Sequence, residues 1–547
     1  MVSPDYETHE VNNQVAFRVG ANLYASDPVL AALVEGLPRP VVEGLATHGQ
    51  QWGSAEMADL ARLANAVPPV LKTHDAAGRR ADTVEFHPAY HALMRRSVAA
   101  GLQASIWDAS GDEASVRAVA RAARIYMTAQ VEAGHVGAMS VTSASVAALA
   151  HAPKLAETWL PMIRSRRYDS RVIPSAQKAG ALFAFATTEK QGGSDLRSNS
   201  TRAEASGDGS HRLVGHKWYV SAPMSDALLV LAQTLEGLSF FLVPRFLPDG
   251  KRNPIRLARL KDKLGTRSNA VAEVEFPGTT GFLVGEAGRG VSTINETVTL
   301  TRVDSAVTSA GISRAALAEA VHYARHRKAF GAPLLDQPLM TRVLADLALD
   351  VTASAALAFR LAEAVDRSHD DPLEAAFARL MTPVVKYWIT KVTPSVVAEA
   401  IECTGGNGFV EESHLARLYR DALAPALADG PGNVLCLDVL RILRRSSDSL
   451  EAVLRVIEDG LGQAARSTLN VLRAATAVAL ADEGSARILV EQLAMTVAAA
   501  AMRRRFPAVI ADAFLESRLG KPWRSTYGML DARFDARAFV DYICPKG

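Results

Sequence analysis

Three cysteines in 547 residues, Cys403, Cys436 and Cys544, form no Cys-x-x-Cys pair and give neither a disulfide framework nor a zinc site. Their odd number and scatter suit a reducing compartment, so a cytoplasmic protein without a metal centre is expected. No uninterrupted apolar stretch reaches the ~20 residues that span a bilayer, which excludes a membrane span at this level of reading. The start, Met1 to Glu7, has no basic stretch followed by an apolar core and so does not read as a secretory signal. Formal net charge is only +2, leaving no global field to draw the chain to nucleic acid or membrane. Any such role must rest on a local patch. Internal repeats and low-complexity tracts are also lacking.

What is there is ordinary globular composition, 49% hydrophobic and 22% charged, in a chain long enough for two to four domains. From Asp27 to about Arg171 apolar residues recur at three- and four-residue spacing, as in Met57 to Ala64 and Val116 to Val131, which predicts helices. Between about Ala181 and Ser292 the pattern is strand-like: His211–Val214 leads into Lys217–Val220, followed by Ala227–Ala232 and Leu238–Val243. After Gly290 the helical period returns in Ala315–Arg325, Thr341–Val365 and Ala464–Val478. The layout is α, then β, then α.

Five segments carry candidate chemistry. The first runs from Phe185 to Asp195, where a buried apolar run ends in the turn Gly192-Gly193-Ser194-Asp195, which frees backbone N–H groups and a hydroxyl for an acceptor-rich ligand. Then follow Gly215 to Ser221, Lys263 to Ser268, Arg327-Lys328-Ala329-Phe330-Gly331 with Gln337, and Glu402 to Phe409. Singly each has a plain reading: a surface turn, an aromatic core pair at Trp218 and Tyr219, a helix C-cap at Gly405–Gly408.

Together, in this order, the set resembles the acyl-CoA dehydrogenase family over about Ala181 to Leu443. The stretches Lys190–Asp195, Gln130–Gly134, Val243–Gly250 and Asn433–Arg441 resemble its AidB-like, adaptive-response branch. The resemblance implies an α+β fold with a helical N-terminal domain (1–180), a central β-domain (181–292) and a helical FAD and catalytic domain (293–443). An extra C-terminal helical domain (444–547) follows. It implies FAD, contacted by Thr188, Ser194, Tyr219 and Ser221, with Arg327, Phe330, Gln337, Glu402 and Gly406 gripping the adenylate half from two subunits of a dimer or tetramer. Arg327 offers an always charged, planar donor, and Gly405-Gly406 lets backbone approach a phosphate.

Dehydrogenating an acyl-CoA thioester requires a carboxylate that takes the α-proton. In the family this is commonly a Glu before Gly, just ahead of an Asn near FAD; here Asp429, Gly430 and Asn433 hold those places, with Asp429 one methylene shorter. Asp429 reads equally as that base or as a loop carboxylate. Past the family core, Arg441, Arg444 and Arg445 share one helical face, and from Arg441 to Gly547 there are 16 basic against 12 acidic residues. The branch is associated with duplex DNA through this extension, while solvated faces or salt bridges explain the same arginines. Three functions stand: an acyl-CoA dehydrogenase, a DNA-associated flavoprotein with residual activity, and a flavin monooxygenase.

Overall fold

The computed structural model describes residues 8–462, 465–520 and 533–545. Its N-terminal part is helical with one departure from the sequence pattern. Strands β1 (Val70–His74) and β2 (Arg80–Glu85) pair antiparallel around Gly78, whose φ of +76° only glycine adopts freely. The hairpin leans on the next domain. Arg80 Nη2 donates to the Leu257 carbonyl at 3.2 Å, and Asp82 Oδ1 accepts from Leu257 N–H at 3.1 Å.

The β-domain holds seven further strands: β3 (Phe183–Ala186), β4 (Arg202–Ala205), β5 (His211–Ser221), β6 (Ala227–Thr234), β7 (Gly237–Pro244), β8 (Arg256–Leu260) and β9 (Val271–Val284). They are hydrogen-bonded in the order β3-β6-β4-β5-β9-β7, and β7 pairs back onto β6, so the sheet curls closed, with β8 added on β9. Its centre explains the run Ala227–Ala232. Leu228, Val230 and Ala232 point into the sheet's own core with Phe241, Val243 and Val274, while Leu229 and Leu231 face outward against Trp159 and Ile163 of the N-terminal helices. A strand buried on both faces loses polar alternation and reads as one apolar run.

The axial helix, Gly290–His326, is 37 residues long, about 55 Å at 1.5 Å per residue. Pro338–Arg367 and Pro372–Thr404 pack along it, each opening on a proline that needs no helical N–H partner there. Helix Arg117–Val131 approaches so closely that a Cβ on Gly311 would lie 2.4 Å from the Tyr126 carbonyl. The two are bolted by Arg121, whose guanidinium meets both oxygens of Asp304 at 2.6 and 2.7 Å and donates through Nε to Leu102 O.

Helix Gly432–Arg445 leads directly into the extension, helices Asp448–Leu461, Ala465–Ala481, Ala486–Arg505, Ala508–Arg518 and Ala536–Ile543. Arg518, 4% exposed, docks it by pairing with Asp346 at 2.7 Å and Asp350 at 2.8 Å. Among the described residues one stretch, Glu483–Arg505, is long and apolar enough to cross a membrane, and 67% of its apolar 18-residue window is buried within the protein. It packs against Pro338–Arg367, Pro372–Thr404 and Asp448–Leu461, as a core helix does.

Removing one partner of the Arg121–Asp304 pair leaves a buried charge uncompensated, at about 3–5 kcal/mol. Asp304→Ala is therefore expected to melt well below both wild type and the double variant Arg121→Leu/Asp304→Leu. A single variant melting as high as the double would show that the pair bears no such charge.

Candidate cofactor and catalytic site

The loop after β3 is folded around one carboxylate. Glu189 and Lys217 of β5 pair at 2.7 Å with neither side chain exposed. Glu189 also accepts from Thr201 N–H at 3.1 Å, Ser200 N–H at 2.7 Å, Ser200 Oγ at 2.9 Å and Gln191 Nε2 at 2.6 Å. Burial opposes its ionisation, yet Lys217 and these donors prevail and hold the carboxyl at about 2. Burial pushes Lys217 the other way, down to about 8, against the pull of Glu189. Trp218 N–H donates to Thr188 O at 2.9 Å, and Gly193 closes over the Thr188 side chain, where a Cβ would sit 2.9 Å from its methyl.

On β5 the register against β9 slips: Lys217 faces Val274 and Val220 faces Ala272, so Trp218 and Tyr219 form a bulge. The bulge turns Tyr219 outward, 54% exposed, while the Trp218 ring lies under Lys261 Nζ at 3.2 Å. Ser221 is half-buried and accepts from Asn269 Nδ2 at 2.8 Å. Thr188 is thus tied to the bulge through its main chain, Ser194 follows the glycine that closes over Thr188, and Tyr219 and Ser221 lie in and just after the bulge on β5.

A second group sits at the C-terminal end of the axial helix. Arg327 caps it and leads into a two-residue turn, Phe330 and Gly331, both with positive φ, between paired Lys328–Ala329 and Ala332–Pro333. Phe330 is 97% exposed. Gln337 Nε2 ties the turn by donating to Ala329 O at 3.2 Å. Nearby, Pro372–Thr404 ends at Gly405 (φ +62°, ψ −149°), and a Cβ at Gly405 or Gly406 would meet no atom within 4 Å. This is open, side-chain-free backbone. Glu402 is exposed, and Asn407 Nδ2 donates to the Tyr323 hydroxyl at 3.1 Å, setting the two loops side by side. Among the described residues no hydrogen bond or ion pair joins this group to the one around the bulge.

Asp429 occupies a third place. Its φ is +52°, a conformation costing a non-glycine residue about 1–2 kcal/mol. Three consecutive carbonyls are held by cations. Lys386 Nζ takes those of Ala428 and Gly430, the latter at 2.9 Å, and Arg302 Nε takes that of Asp429 at 2.9 Å. Arg302 is fixed in turn by Asp438 at 2.6 Å. Burial pushes Lys386 down to about 8, with the Asp429 charge opposing and Arg302 adding to the shift. The Asp429 carboxylate itself makes no hydrogen bond or ion pair among the described residues, which leaves it available to a substrate. Sequence reasoning missed Lys386 and Arg302; a lone lysine inside the apolar run Val384 to Ile389 was the available signal.

Asn433 is the second residue of the next helix, Gly432–Arg445, and its Oδ1 accepts from Arg487 of the extension at 2.9 Å. Arg441, Arg444 and Arg445 are exposed on that helix; Arg441 pairs with Asp438, while Arg444 and Arg445 make no ion pair among the described residues. Arg503 pairs with Asp512, and Arg504 and Arg505 both pair with Glu363. The three consecutive arginines 503–505 are therefore used inside the molecule.

Family models match in three stretches: the AidB N-terminal domain over residues 13–170, and the acyl-CoA dehydrogenase middle and C-terminal domains over 184–279 and 288–443. AidB of Escherichia coli (strain K12) is 47% identical over 463 residues, covering 84% of each chain. The chain belongs to the acyl-CoA dehydrogenase family. Acyl-CoA dehydrogenase family member 11 of Caenorhabditis elegans is 32% identical over 81% of this chain and 74% of its own. Among solved structures, Bd2924 in its apo form superposes with a TM-score of 0.82 at 28% identity, covering 90% of this chain and 100% of that one. ACDH-11 of Caenorhabditis elegans in complex with C11-CoA gives 0.78 at 26% identity, covering 100% and 95%.

Members of this dehydrogenase family are FAD-dependent oxidoreductases. The residues fit that cofactor in kind: an exposed aromatic ring on β5 for a flat ring system, and an always charged guanidinium and open, side-chain-free glycine backbone for a pyrophosphate. The expected fold class holds in outline, with helical, β and helical parts in that order.

Two outcomes follow from the buried lysines. Lys386→Met releases the Ala428 and Gly430 carbonyls, and thioester-dependent turnover is expected to fall roughly 10²-fold, in the range a misplaced base loses, while bound FAD stays constant. Unchanged turnover would separate the lysine from the loop's function. Because Glu189 titrates at about 2, below its usual 4.5, its contribution to stability is full above about pH 4.5 and lost as pH falls toward 2. The melting-temperature gap between wild type and Glu189→Gln should therefore narrow across that window.

Proposed function

We propose that this acyl-CoA dehydrogenase family member oxidises the Cα–Cβ bond of an acyl-CoA thioester, with Asp429 as the base that removes the α-proton. The observation that carries the reading is the Asp429 loop: a free carboxylate on left-handed backbone with three successive carbonyls gripped by Lys386 and Arg302. A loop carboxylate with no task would not need that restraint. FAD, when bound, supplies the acceptor for the β-hydride. Thr188, Ser194, Tyr219 and Ser221 would hold its ring end, and Arg327, Phe330, Gln337, Glu402 and Gly406 its adenylate end. Asn433 would lie near it at the start of the helix after Asp429. The C11-CoA found with ACDH-11 supports an acyl-CoA substrate here. A monooxygenase on the same fold needs no such base, so the Asp429 loop favours dehydrogenation.

The site is completed in this reading by a second copy of the chain. Phe330, Leu339, Phe409 and Val410 are 97%, 79%, 80% and 45% exposed around the two adenylate loops, apolar surface that a homodimer or tetramer covers. Three free, buried cysteines suit the cytoplasm. A duplex-DNA role keeps support from Arg444 and Arg445. Replacing both with Ala is expected to lower the slope of log affinity against log salt by up to about 1.8, and an unchanged slope removes them from such a role.

Anaerobic titration of the holoprotein with acyl-CoAs of increasing chain length tests the main reading, with bleaching of the flavin band expected for the preferred length. Asp429→Asn should abolish bleaching with the resting spectrum intact, and Asp429→Glu should keep or raise the rate. Bleaching at equal rates in wild type and Asp429→Asn removes the base assignment. In parallel, Phe409→Asp is expected to shift light-scattering mass toward the 58.4 kDa monomer, and an unshifted mass places the interface elsewhere.

A further inference from the structure

Asn13 lies more than 300 residues from the Arg327 turn in sequence yet grips it from three sides. Its Nδ2 donates to Lys328 O at 2.8 Å, its Oδ1 accepts from Lys328 N–H at 2.9 Å, and its main-chain carbonyl accepts from Arg327 Nη1. The side chain thus pairs with Lys328 as an extra strand residue would. Its φ of +52° is what turns carbonyl and side chain toward the same segment. The following residues run antiparallel along one face of the axial helix. Gln14 Oε1 accepts from Asn407 Nδ2 at 3.3 Å, Ala16 O meets His322 Nε2 at 3.0 Å, and Arg18 N–H donates to Glu319 Oε2 at 3.2 Å. One short strap therefore touches both adenylate loops, the Arg327 turn and the Gly-Gly loop, within a single chain.

Most of these contacts are exposed to water, where a fold-stabilising role is weakly rewarded. Their geometry has another effect. A guanidinium carries five N–H donors in a rigid plane, so fixing one Nη on Asn13 O orients the remaining donors for an anion. From this we infer that Asn13 is a cofactor-positioning residue, which presets the Arg327 guanidinium and the turn behind it for the FAD pyrophosphate. The inference rests on the proposed role of Arg327 toward FAD. The Arg327 side chain is long and only half-buried, and without the clamp it would sample several rotamers, each paid for again when FAD binds.

The test measures FAD dissociation constants on apoprotein prepared from the full chain. Asn13→Gly tolerates the positive φ and removes both side-chain bonds to Lys328, which are what hold the Asn13 carbonyl against the Arg327 guanidinium, so the variant unfastens that carbonyl without deleting it. It is expected to weaken FAD about tenfold, the loss of roughly one net hydrogen bond's worth of preorganisation, with the apoprotein melting temperature unchanged. Asn13→Asp, which retains the acceptor for Lys328 N–H, should fall between. Arg327→Ala should weaken FAD on its own, and adding Asn13→Gly to it should weaken FAD no further, since there is no guanidinium left to orient. Full additivity of the two, or an Asn13→Gly protein that binds FAD like wild type while Arg327→Ala does not, overturns the inference. An Arg327→Ala protein with wild-type affinity overturns the underlying assignment as well, so the two failures are distinct.

Discussion

A buried ammonium must be surrounded by oxygen, and two of them decide where the loops of this site lie. Lys217 and Lys386 are both fully buried, and each costs several kcal/mol to desolvate unless oxygens converge on it. Lys217 recruits the Glu189 carboxylate, and Glu189 in turn winds residues 187–201 around itself. Lys386 recruits main-chain carbonyls, and so shapes the backbone on either side of Asp429. The difference is chemically useful. A lysine satisfied by a carboxylate makes a neutral, rigid hub, whereas one satisfied by carbonyls keeps its charge uncompensated beside the loop it shapes.

Backbone strain follows the same map. Six non-glycine residues among those described have positive φ: Asn13, Asp82, Ala222, Thr266, Phe330 and Asp429. All but Asp82 lie in or beside a motif segment, or on the strap that touches two of them. At about 1–2 kcal/mol each, such conformations persist only where surrounding contacts overdetermine them. Thr266 shows how: its N–H is taken by the buried Asp421 at 2.5 Å, and Lys263 Nζ holds its carbonyl at 2.6 Å.

The α, β, α order was readable because the periods are strong: Ala227–Ala232 is apolar on both faces, and Thr341–Val365 keeps a helical period throughout. The β1–β2 hairpin was not, since Val70–His74 and Arg80–Glu85 are short, largely exposed and rich in charge, which hides a two-residue period. Candidate residues for flavin contact stood in recognisable strings, and the structure groups them by place in the fold. What Lys386, Arg302 and Asn13 do was harder to read, because the loop atoms they hold are largely main-chain ones, and only the lone lysine in the apolar run Val384 to Ile389 gave a signal. A carbonyl has no letter in the sequence. Elsewhere in the extension the partners are side chains distant in sequence: Arg503, Arg504 and Arg505 look like a basic patch in one dimension and find Asp512 and Glu363 in three.

The β1–β2 hairpin also bears on how the chain behaves at high concentration. Among the described residues strand β8 pairs with β9 alone, and its other edge presents backbone groups of the kind that template pairing between molecules. At Leu257 those groups are claimed by Asp82 and Arg80, side chains of the hairpin, so the edge is sealed by a donor and an acceptor that cannot propagate a sheet. A relative that lost or shortened this hairpin would retain every residue of the site and still expose a sticky seam, and its first symptom would be aggregation during expression rather than loss of chemistry.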